Sequence, residues 1–251
     1  MESSNHDASR LPRTLLFDLD DTIFDHALTS RAALQELRAA EALLRRRTLV
    51  ELWKEYARLL EEVHPEVLAG RISIDQARTQ RFLRLTEFCG ARISEEEAGE
   101  FSRRYRSRYR KLRRAVPGAP ELLQRLHGRA VIGIVTNNQA AEQEEKLAYL
   151  GIRDLIDFLV VSEGVGVAKP DPRIFEIALE RTGAAPKEAV MLGDSWASDV
   201  LGARAAGVRA VWFNRFRLPN PEPDRVPEVQ SLRPALSVER VLALPSEPGP
   251  H

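Results

Sequence analysis

The run from Leu15 to Thr22 constrains this chain more than any other stretch, because an apolar segment ends there abruptly in carboxylates. It reads Leu-Leu-Phe-Asp-Leu-Asp-Asp-Thr, which predicts a short buried strand with polar groups at its carboxyl end. Since successive side chains of a strand point to opposite faces, Asp18 and Asp20 project to the same side. Two such carboxylates resist joint ionisation unless a cation lies between them or one keeps its proton. Either arrangement suits catalysis, although Asp18 to Thr22 also suits a polar turn that caps a helix.

Length and charge exclude several classes of protein. The chain has 251 residues, enough for one large domain or two smaller ones. Its 37 basic and 37 acidic residues give a formal charge of zero, so no global field attracts nucleic acid or acidic membranes. The single cysteine, Cys89, excludes an intrachain disulfide and fits a reducing compartment. We therefore expect neither a nucleic-acid nor a membrane partner.

The amino-terminal stretch shows no pattern of a targeting signal. Met1 to Leu11 is polar and lacks an apolar core. No later run approaches the ~20 apolar residues of a membrane span. We expect a soluble, cytoplasmic protein with disordered tails at residues 1–12 and 246–251.

Residues 26–114 have a helical texture. Apolar residues recur at three- and four-residue steps, first after residue 30 and again from Leu49 to Val63 and from Asp75 to Phe88. Ser94 with Glu97 is a capping-box signature for a fourth helix. Since no strand pattern interrupts these residues, they are predicted to form a separate unit of antiparallel helices.

Arg103 to Arg114 holds eight basic residues in twelve, interleaved with Tyr105 and Tyr109. This composition is compatible with a nucleic-acid contact. Glutamates precede the run on the same predicted helix, however, so acids lie at its amino end and bases at its carboxyl end, as the helix dipole favours. We interpret the run as a solvated helix face.

After Pro117 and Gly118 the pattern alternates between strands and helices. Such alternation predicts a mostly parallel sheet with helices on both faces, and sheets of this kind bind ligands beyond the carboxyl ends of their strands. The four further predicted strands are Ala130–Val135, Phe158–Val161, Ala189–Leu192 and Ala210–Phe213.

Polar residues do cluster after these strands. The second strand ends in Thr136-Asn137, the third leads into Lys169-Pro170, and the fourth ends in Gly193-Asp194-Ser195 with Asp199 just beyond. Each is individually compatible with a turn, a solvated loop or a helix cap. Together they bring carboxylates, hydroxyls, amides and a lysine to one edge of the sheet.

In order and placement, Asp18-x-Asp20-x-Thr22, Thr136, Lys169-Pro170 and Gly193-Asp194-Ser195-x-x-x-Asp199 resemble the four motifs of the haloacid dehalogenase-like (HAD) hydrolase superfamily. The resemblance spans residues 14 to about 215. It implies a Rossmann-like α/β core, residues 13–25 and 115–245, split by an all-helical C1 cap, residues 26–114. It also implies a phosphoric monoester hydrolase that acts through an aspartyl-phosphate.

The resemblance further implies a role for each motif residue. Asp18 would be the nucleophile, and Asp20 the acid and base that Thr22 orients. Thr136, the amide of Asn137 and Lys169 would hold the phosphoryl oxygens, with Lys169 also offsetting the charge of Asp18. The expected Mg²⁺ would take its oxygen ligands from four residues. These are Asp18, Asp194, Asp199 through water or directly, and the backbone carbonyl of Asp20.

The expected substrate is a small phosphorylated metabolite, either a nucleoside monophosphate or a sugar phosphate, with specificity carried by the cap. Three stretches resemble the pyrimidine 5′-nucleotidase and N-acylneuraminate-9-phosphatase group. They are Gly70–Ser73 with Arg81-Phe82, Gly164–Pro170 and Trp212–Arg215.

Three alternatives remain open. A 2-haloacid dehalogenase of the same fold needs neither the second aspartate nor the metal-binding pair, so Asp20, Asp194 and Asp199 favour a phosphatase. A phosphomutase would need a site for rebinding a bisphosphate, which no motif identifies. A non-catalytic scaffold that binds protein or nucleic acid through Arg103 to Arg114 would have no need of the catalytic motifs.

Overall fold

The structure, a computed structural model, describes residues 10–244. The predicted tail at 246–251 lies outside the described residues, as does most of the tail predicted at 1–12. Within the latter, Arg10 is placed, and its carbonyl accepts a hydrogen bond of 2.9 Å from the amide of Leu244. The chain divides into two compact units, one formed by residues up to Phe24 and from Ala115 onward, the other by Asp25 to Arg114.

The first unit, called the core unit below, is built on a parallel sheet of six strands in the order β3-β2-β1-β4-β5-β6. Strand β1 is central and pairs Phe17 with Ile134 on one side and with Leu192 on the other. The strands are β1 Thr14–Phe17, β2 Val131–Thr136, β3 Phe158–Val161, β4 Ala189–Gly193, β5 Arg209–Phe213 and β6 Glu228–Val229.

Helices separate β1 to β5 in the chain, whereas a segment without a helix joins β5 to β6. The buried residues of the helices form the core with the inward-facing residues of the sheet, as where Leu16, Met191 and Phe175 lie in one cluster. Because every residue of β1 and β4 is buried, both strands have nearly continuous apolar sequences rather than alternating ones. The helices of this unit, numbered in chain order, are α5 Ala119–Leu126, α6 Ala140–Tyr149, α7 Ser162–Val165, α8 Pro172–Glu180, α9 Leu201–Ala205 and α10 Ala235–Leu242.

The second unit, called the helical unit below, contains α1 His26–Ala40, α2 Leu49–Leu68, α3 Ile74–Phe88 and α4 Glu95–Lys111. Capping boxes begin α2, α3 and α4, each pairing a Ser or Thr with a Glu or Gln three residues later. Aromatic side chains pack in its interior at centroid distances of 5.1–6.2 Å, namely Tyr56, Phe82, Phe101, Tyr105 and Tyr109.

The basic run lies on and just after α4. Arg103 pairs with Glu100 on the same helix, and Arg104 Nη1 lies 2.6 Å from Glu41 Oε1. Tyr105 and Tyr109, the aromatic residues within the run, are buried. The tyrosines therefore contribute to the interior of the helical unit, and part of the positive charge is neutralised locally.

Element boundaries differ from the sequence-based ones where local geometry intervenes. Helix α1 begins at His26, well before the first apolar repeat, because Asp25 caps it by accepting from the amide of Leu28. The helix that follows β4 opens as a wide π turn over Trp196–Val200 before α9. Within residues 10–244, no helix combines the length and apolar character that a membrane span requires.

Candidate active site

The carboxyl ends of β1, β2 and β4 meet at one edge of the sheet. Because β1 lies between its two neighbours in parallel register, Asp18 directly follows a residue that pairs with both. The amide of Asp18 donates to the carbonyl of Leu192 at 3.0 Å. The backbone of Asp18 is therefore fixed by the sheet, and its side chain lies beyond the end of the strand. The strand ends therefore determine which motif residues can meet.

Three carboxylates converge beyond these ends. One oxygen from each of Asp18, Asp194 and Asp199 lies within 4.8 Å of the other two. Lys169, 6% exposed, places Nζ 2.6 Å from Asp18 Oδ1 and 2.6 Å from Asp199 Oδ1. Asp194 belongs to the cluster but makes no ion pair within 4.0 Å among the described residues. Two of the three charges are therefore bridged by lysine, and the third lacks a cation in the part of the chain that the structure describes.

Electrostatics in this cluster are dominated by burial. Loss of hydration raises the pKa of Asp18 to about 7, against the opposing effect of Lys169. Burial and the neighbouring charges of Asp18 and Asp199 raise the pKa of Asp194 well above its usual range. Burial lowers the pKa of Lys169, but the carboxylates of Asp18 and Asp199 together outweigh it and raise that pKa, so the lysine stays charged. The site thus holds more negative charge than its one lysine balances.

Asp199 owes its position to the π turn and to a glycine. The turn brings its carboxylate against Gly193, where an added Cβ would lie only 2.3 Å from Oδ2. Its Oδ2 also accepts from the amide of Ser195 at 2.9 Å. Gly193 is therefore required by close approach, and the Gly-Asp-Ser sequence positions Asp199 as well as Asp194.

Two other motif residues act on the backbone of the site. Thr22, fully buried, accepts a hydrogen bond of 3.1 Å from the amide of Asp194 and so joins the first and fourth motifs. Its predicted role in orienting Asp20 stays a prediction. Asn137 donates to the carbonyl of Lys169 and accepts from its amide, both at 2.8 Å. The second motif therefore holds the backbone of the third.

Asp20 lies in a separate set of contacts. Lys146 Nζ lies 2.6 Å from its Oδ1 and 2.8 Å from its Oδ2. Gln143 Nε2 donates to Oδ2 at 3.1 Å, and Asn138 Nδ2 lies 3.3 Å from the same oxygen. All three donors lie after β2, Asn138 in the connecting segment and the other two in α6. The second aspartate of the pair is thus held by a different lysine from the first.

Thr136 is linked to this set through Gln143. Its Oγ1 accepts from Gln143 Nε2 at 2.7 Å, and the residue is 1% exposed. Because the hydroxyl oxygen is occupied as an acceptor, its hydrogen is directed elsewhere and can be donated to an anion. A hydroxyl that donates its hydrogen in this way is suited to binding a phosphate oxygen.

Sequence reasoning missed Gln143 and Lys146. The predicted alternation of strands and helices places a helix between the second and third strands, but neither residue was assigned to the site. One signal was available, since the two lie three residues apart and share a helix face with Leu147, which is fully buried. A lysine on a buried helix face requires a partner charge.

The donor set fits a hard divalent cation. It consists of carboxylate oxygens only, converging from two motifs, and one of them lacks a counter-ion among the described residues. Such oxygen-rich sets suit Mg²⁺. Near this cluster, Asp20 and Thr136 present a proton-transfer group and a hydroxyl donor. The arrangement can therefore bind an anion, attack it with a carboxylate and exchange a proton.

The sequence of this chain matches a known protein family. A family model for haloacid dehalogenase-like hydrolases matches residues 12–207. The chain belongs to this family. Among curated relatives, this HAD-like hydrolase is 32% identical over 209 residues to pyrimidine 5′-nucleotidase YjjG of Escherichia coli, covering 83% of this chain and 88% of the relative. It is 34% identical over 245 residues to a phosphoserine phosphatase of Thermus thermophilus, covering 87% and 94%.

A solved structure also shares the fold. The HAD-hydrolase YfnB from Bacillus subtilis, solved bound to magnesium, aligns with a TM-score of 0.74 over 94% of this chain and 100% of that one, at 24% identity. The relatives named above are a nucleotidase and a phosphatase, which are phosphoric monoester hydrolases. The predicted family, fold class and enzyme class are confirmed by these comparisons.

Proposed function

We propose that this HAD-like hydrolase is a magnesium-dependent phosphatase that hydrolyses a small phosphate monoester through an aspartyl-phosphate on Asp18. The observation that carries the proposal is the convergence of Asp18, Lys169, Asp194 and Asp199, with ligand oxygens of the three carboxylates within 4.8 Å of one another. When bound, Mg²⁺ supplies positive charge that lowers the repulsion between a carboxylate and a phosphate dianion. Its proposed ligands are the three carboxylates and the carbonyl of Asp20.

In the first step, an oxygen of Asp18 forms a bond to phosphorus while the bond to the leaving oxygen breaks. Asp20 transfers its proton to that oxygen, which leaves as an alcohol. Thr136 Oγ1, the amide of Asn137 and the Lys169 ammonium hold the phosphoryl oxygens as charge builds on them. Lys169 also stays in contact with the attacking carboxylate, so nucleophile and target share one cation.

In the second step, water attacks phosphorus and Asp20 takes its proton. The bond between Asp18 and phosphorus breaks, phosphate leaves, and Asp18 returns as a carboxylate. Asp20 thus alternates between acid and base.

The proposed substrate is a nucleoside monophosphate or a sugar phosphate, and the proposed compartment is the cytoplasm. In support, the curated relatives include a pyrimidine 5′-nucleotidase and glyceraldehyde 3-phosphate phosphatases, whose named substrates are small phosphate esters. We further propose that residues 26–114 act as a cap that determines specificity.

The test is hydrolysis of p-nitrophenyl phosphate and of a panel of nucleotides and sugar phosphates, with chelator and with added Mg²⁺. We expect Asp18→Asn to lose at least about 10³-fold in kcat, since it removes the nucleophile. Asp224→Asn, at an exposed carboxylate after β5, is the matched control. Full activity of Asp18→Asn would refute the mechanism, whereas halide release from 2-haloacids without Mg²⁺ would favour the dehalogenase alternative.

A further inference from the structure

Lys146 carries a positive charge in the interior of the core unit. The residue is 2% exposed, and its Nζ lies 5.1 Å from the centre of the buried Phe24 ring. Both carboxylate oxygens of Asp20 lie within 2.8 Å of this nitrogen. A buried ammonium needs a close counter-charge to offset its lost hydration. Asp20 fills that need, so the position of each residue depends on the other.

Gln143 lies one turn before Lys146 and is completely buried. Its Nε2 donates both to Asp20 Oδ2 and to Thr136 Oγ1, while its Oε1 is buried without a hydrogen-bond partner among the described residues. Reversing the amide would place Oε1 against a carboxylate oxygen, so the contact with Asp20 determines its orientation. An unsatisfied acceptor is unfavourable. The unsatisfied Oε1 belongs to a residue whose Nε2 makes two hydrogen bonds to site residues.

We propose that Lys146 is a positioning residue that acts through Asp20. With Gln143 beside it, Lys146 directs the Asp20 carboxyl group so that a proton can pass between that group and the leaving oxygen of the substrate. The inference rests on the proposed function, because it assigns Asp20 the proton transfer. It assigns Lys146 no contact with substrate, metal or the reacting atoms.

In the first step, attack by Asp18 and departure of the leaving group depend on different residues. Attack by Asp18 depends on Lys169 and the carboxylate cluster, which Lys146 does not touch in the described contacts. Departure of a basic leaving group needs the proton from Asp20, whereas a weakly basic one leaves without it. Loss of Lys146 should therefore slow esters of basic alcohols selectively.

The experiment compares kcat/KM for two esters in the presence of Mg²⁺. Phenyl phosphate releases a phenol of pKa about 10, like that of tyrosine, and p-nitrophenyl phosphate releases a far weaker base. For Lys146→Met we expect a loss of at least about 100-fold with phenyl phosphate and less than about 10-fold with p-nitrophenyl phosphate. Lys146→Arg should recover most of the loss. Lys187→Met, at an exposed lysine before β4, should behave as the unmodified enzyme.

An equal loss with both esters would show a merely structural role and overturn the inference, as would no loss with either. Melting temperature and its rise on addition of Mg²⁺ report whether each variant is folded. If Lys146→Met does not fold, Gln143→Met, which keeps the side-chain volume, should give the same skew to a smaller degree, and its absence would overturn the inference.

The same data distinguish this inference from the proposed function. If the unmodified enzyme hydrolyses neither ester, or if Asp18→Asn stays fully active, the proposed function fails and the inference fails with it. If Asp18→Asn is inactive and Lys146→Met shows no skew, only the role of Lys146 is refuted.

Discussion

Replacing Gly193 by alanine should disable the carboxylate cluster without removing any of its functional groups. An added Cβ would lie 2.3 Å from Asp199 Oδ2, 2.4 Å from its Cγ and 2.5 Å from its Cβ. Contacts below 3.0 Å are essentially never made by real Cβ atoms, so Asp199 and the backbone at Gly193 must separate by at least 0.7 Å. Because its Cβ is among the close atoms, rotation of the side chain alone cannot relieve the overlap.

Two hydrogen bonds depend on the present position of Asp199. They join it to Lys169 Nζ at 2.6 Å and to the amide of Ser195 at 2.9 Å. Overpacking of this kind costs about 1–3 kcal/mol. At about 2–4 °C per kcal/mol for a chain of this size, the melting temperature should fall by several degrees. Displaced ligands and their supports typically reduce metal affinity by about 10–100-fold.

The assay is the Mg²⁺ dependence of p-nitrophenyl phosphate hydrolysis. For Gly193→Ala we expect the half-activating Mg²⁺ concentration to rise by at least about tenfold. Gly164→Ala is the matched control, because nothing lies within 4 Å of a Cβ added there and the backbone is not left-handed. An unchanged Mg²⁺ dependence in Gly193→Ala, with an unchanged melting temperature, would refute the argument from close approach.

Three further predictions concern stability. Burial raises the pKa of Asp18 to about 7, so the metal-free folded protein retains a proton that the unfolded chain releases near pH 4 and loses stability as pH rises towards 7. We expect Mg²⁺ to raise the melting temperature more near pH 8 than near pH 5.5, where protons compete for the carboxylates; a larger rise near pH 5.5 would contradict this. Gly133→Ala would place a Cβ 2.2 Å from the Phe158 ring and should lower stability by about 1–3 kcal/mol, measured by urea unfolding, with Mg²⁺ dependence unchanged. Ser94→Ala removes the capping box of α4 and should cost about 1 kcal/mol, whereas Ser107→Ala, on the exposed face of the same helix, should cost less than half as much.

Most of the fold follows from local patterns in the sequence. Strands β2 to β5 appear within one residue of their predicted bounds because short, mostly apolar runs have few other places in a globular chain. The helices from Leu49 onward follow their capping boxes and apolar steps. Helix α1 begins at His26, the first residue of the predicted helical region, but its first turn lacks the apolar repeat and depends on a single cap from Asp25.

The meeting of the motif residues also followed from the sequence, through one rule of topology. Parallel strands present their carboxyl ends at the same edge, so Asp18 and Asp194 had to lie near each other once the sheet was inferred. Details of the contacts did not follow. Asn137 holds the backbone of Lys169, and Thr22 binds the amide of Asp194. Such pairings join residues 32 and 172 positions apart, and no local pattern encodes them.

By itself, the sequence determined the chemical groups of this protein and the edge of the sheet on which they stand, because strand periodicity and parallel order are local properties. Tertiary structure alone decided which cation serves which aspartate. Lys169 and Lys146 are both buried, but Lys169 bridges Asp18 and Asp199, whereas Lys146 forms an ion pair with Asp20. That division depends on the packing of α6 and of the loop before α8 against the end of β1, and packing over such distances is a property of the folded chain.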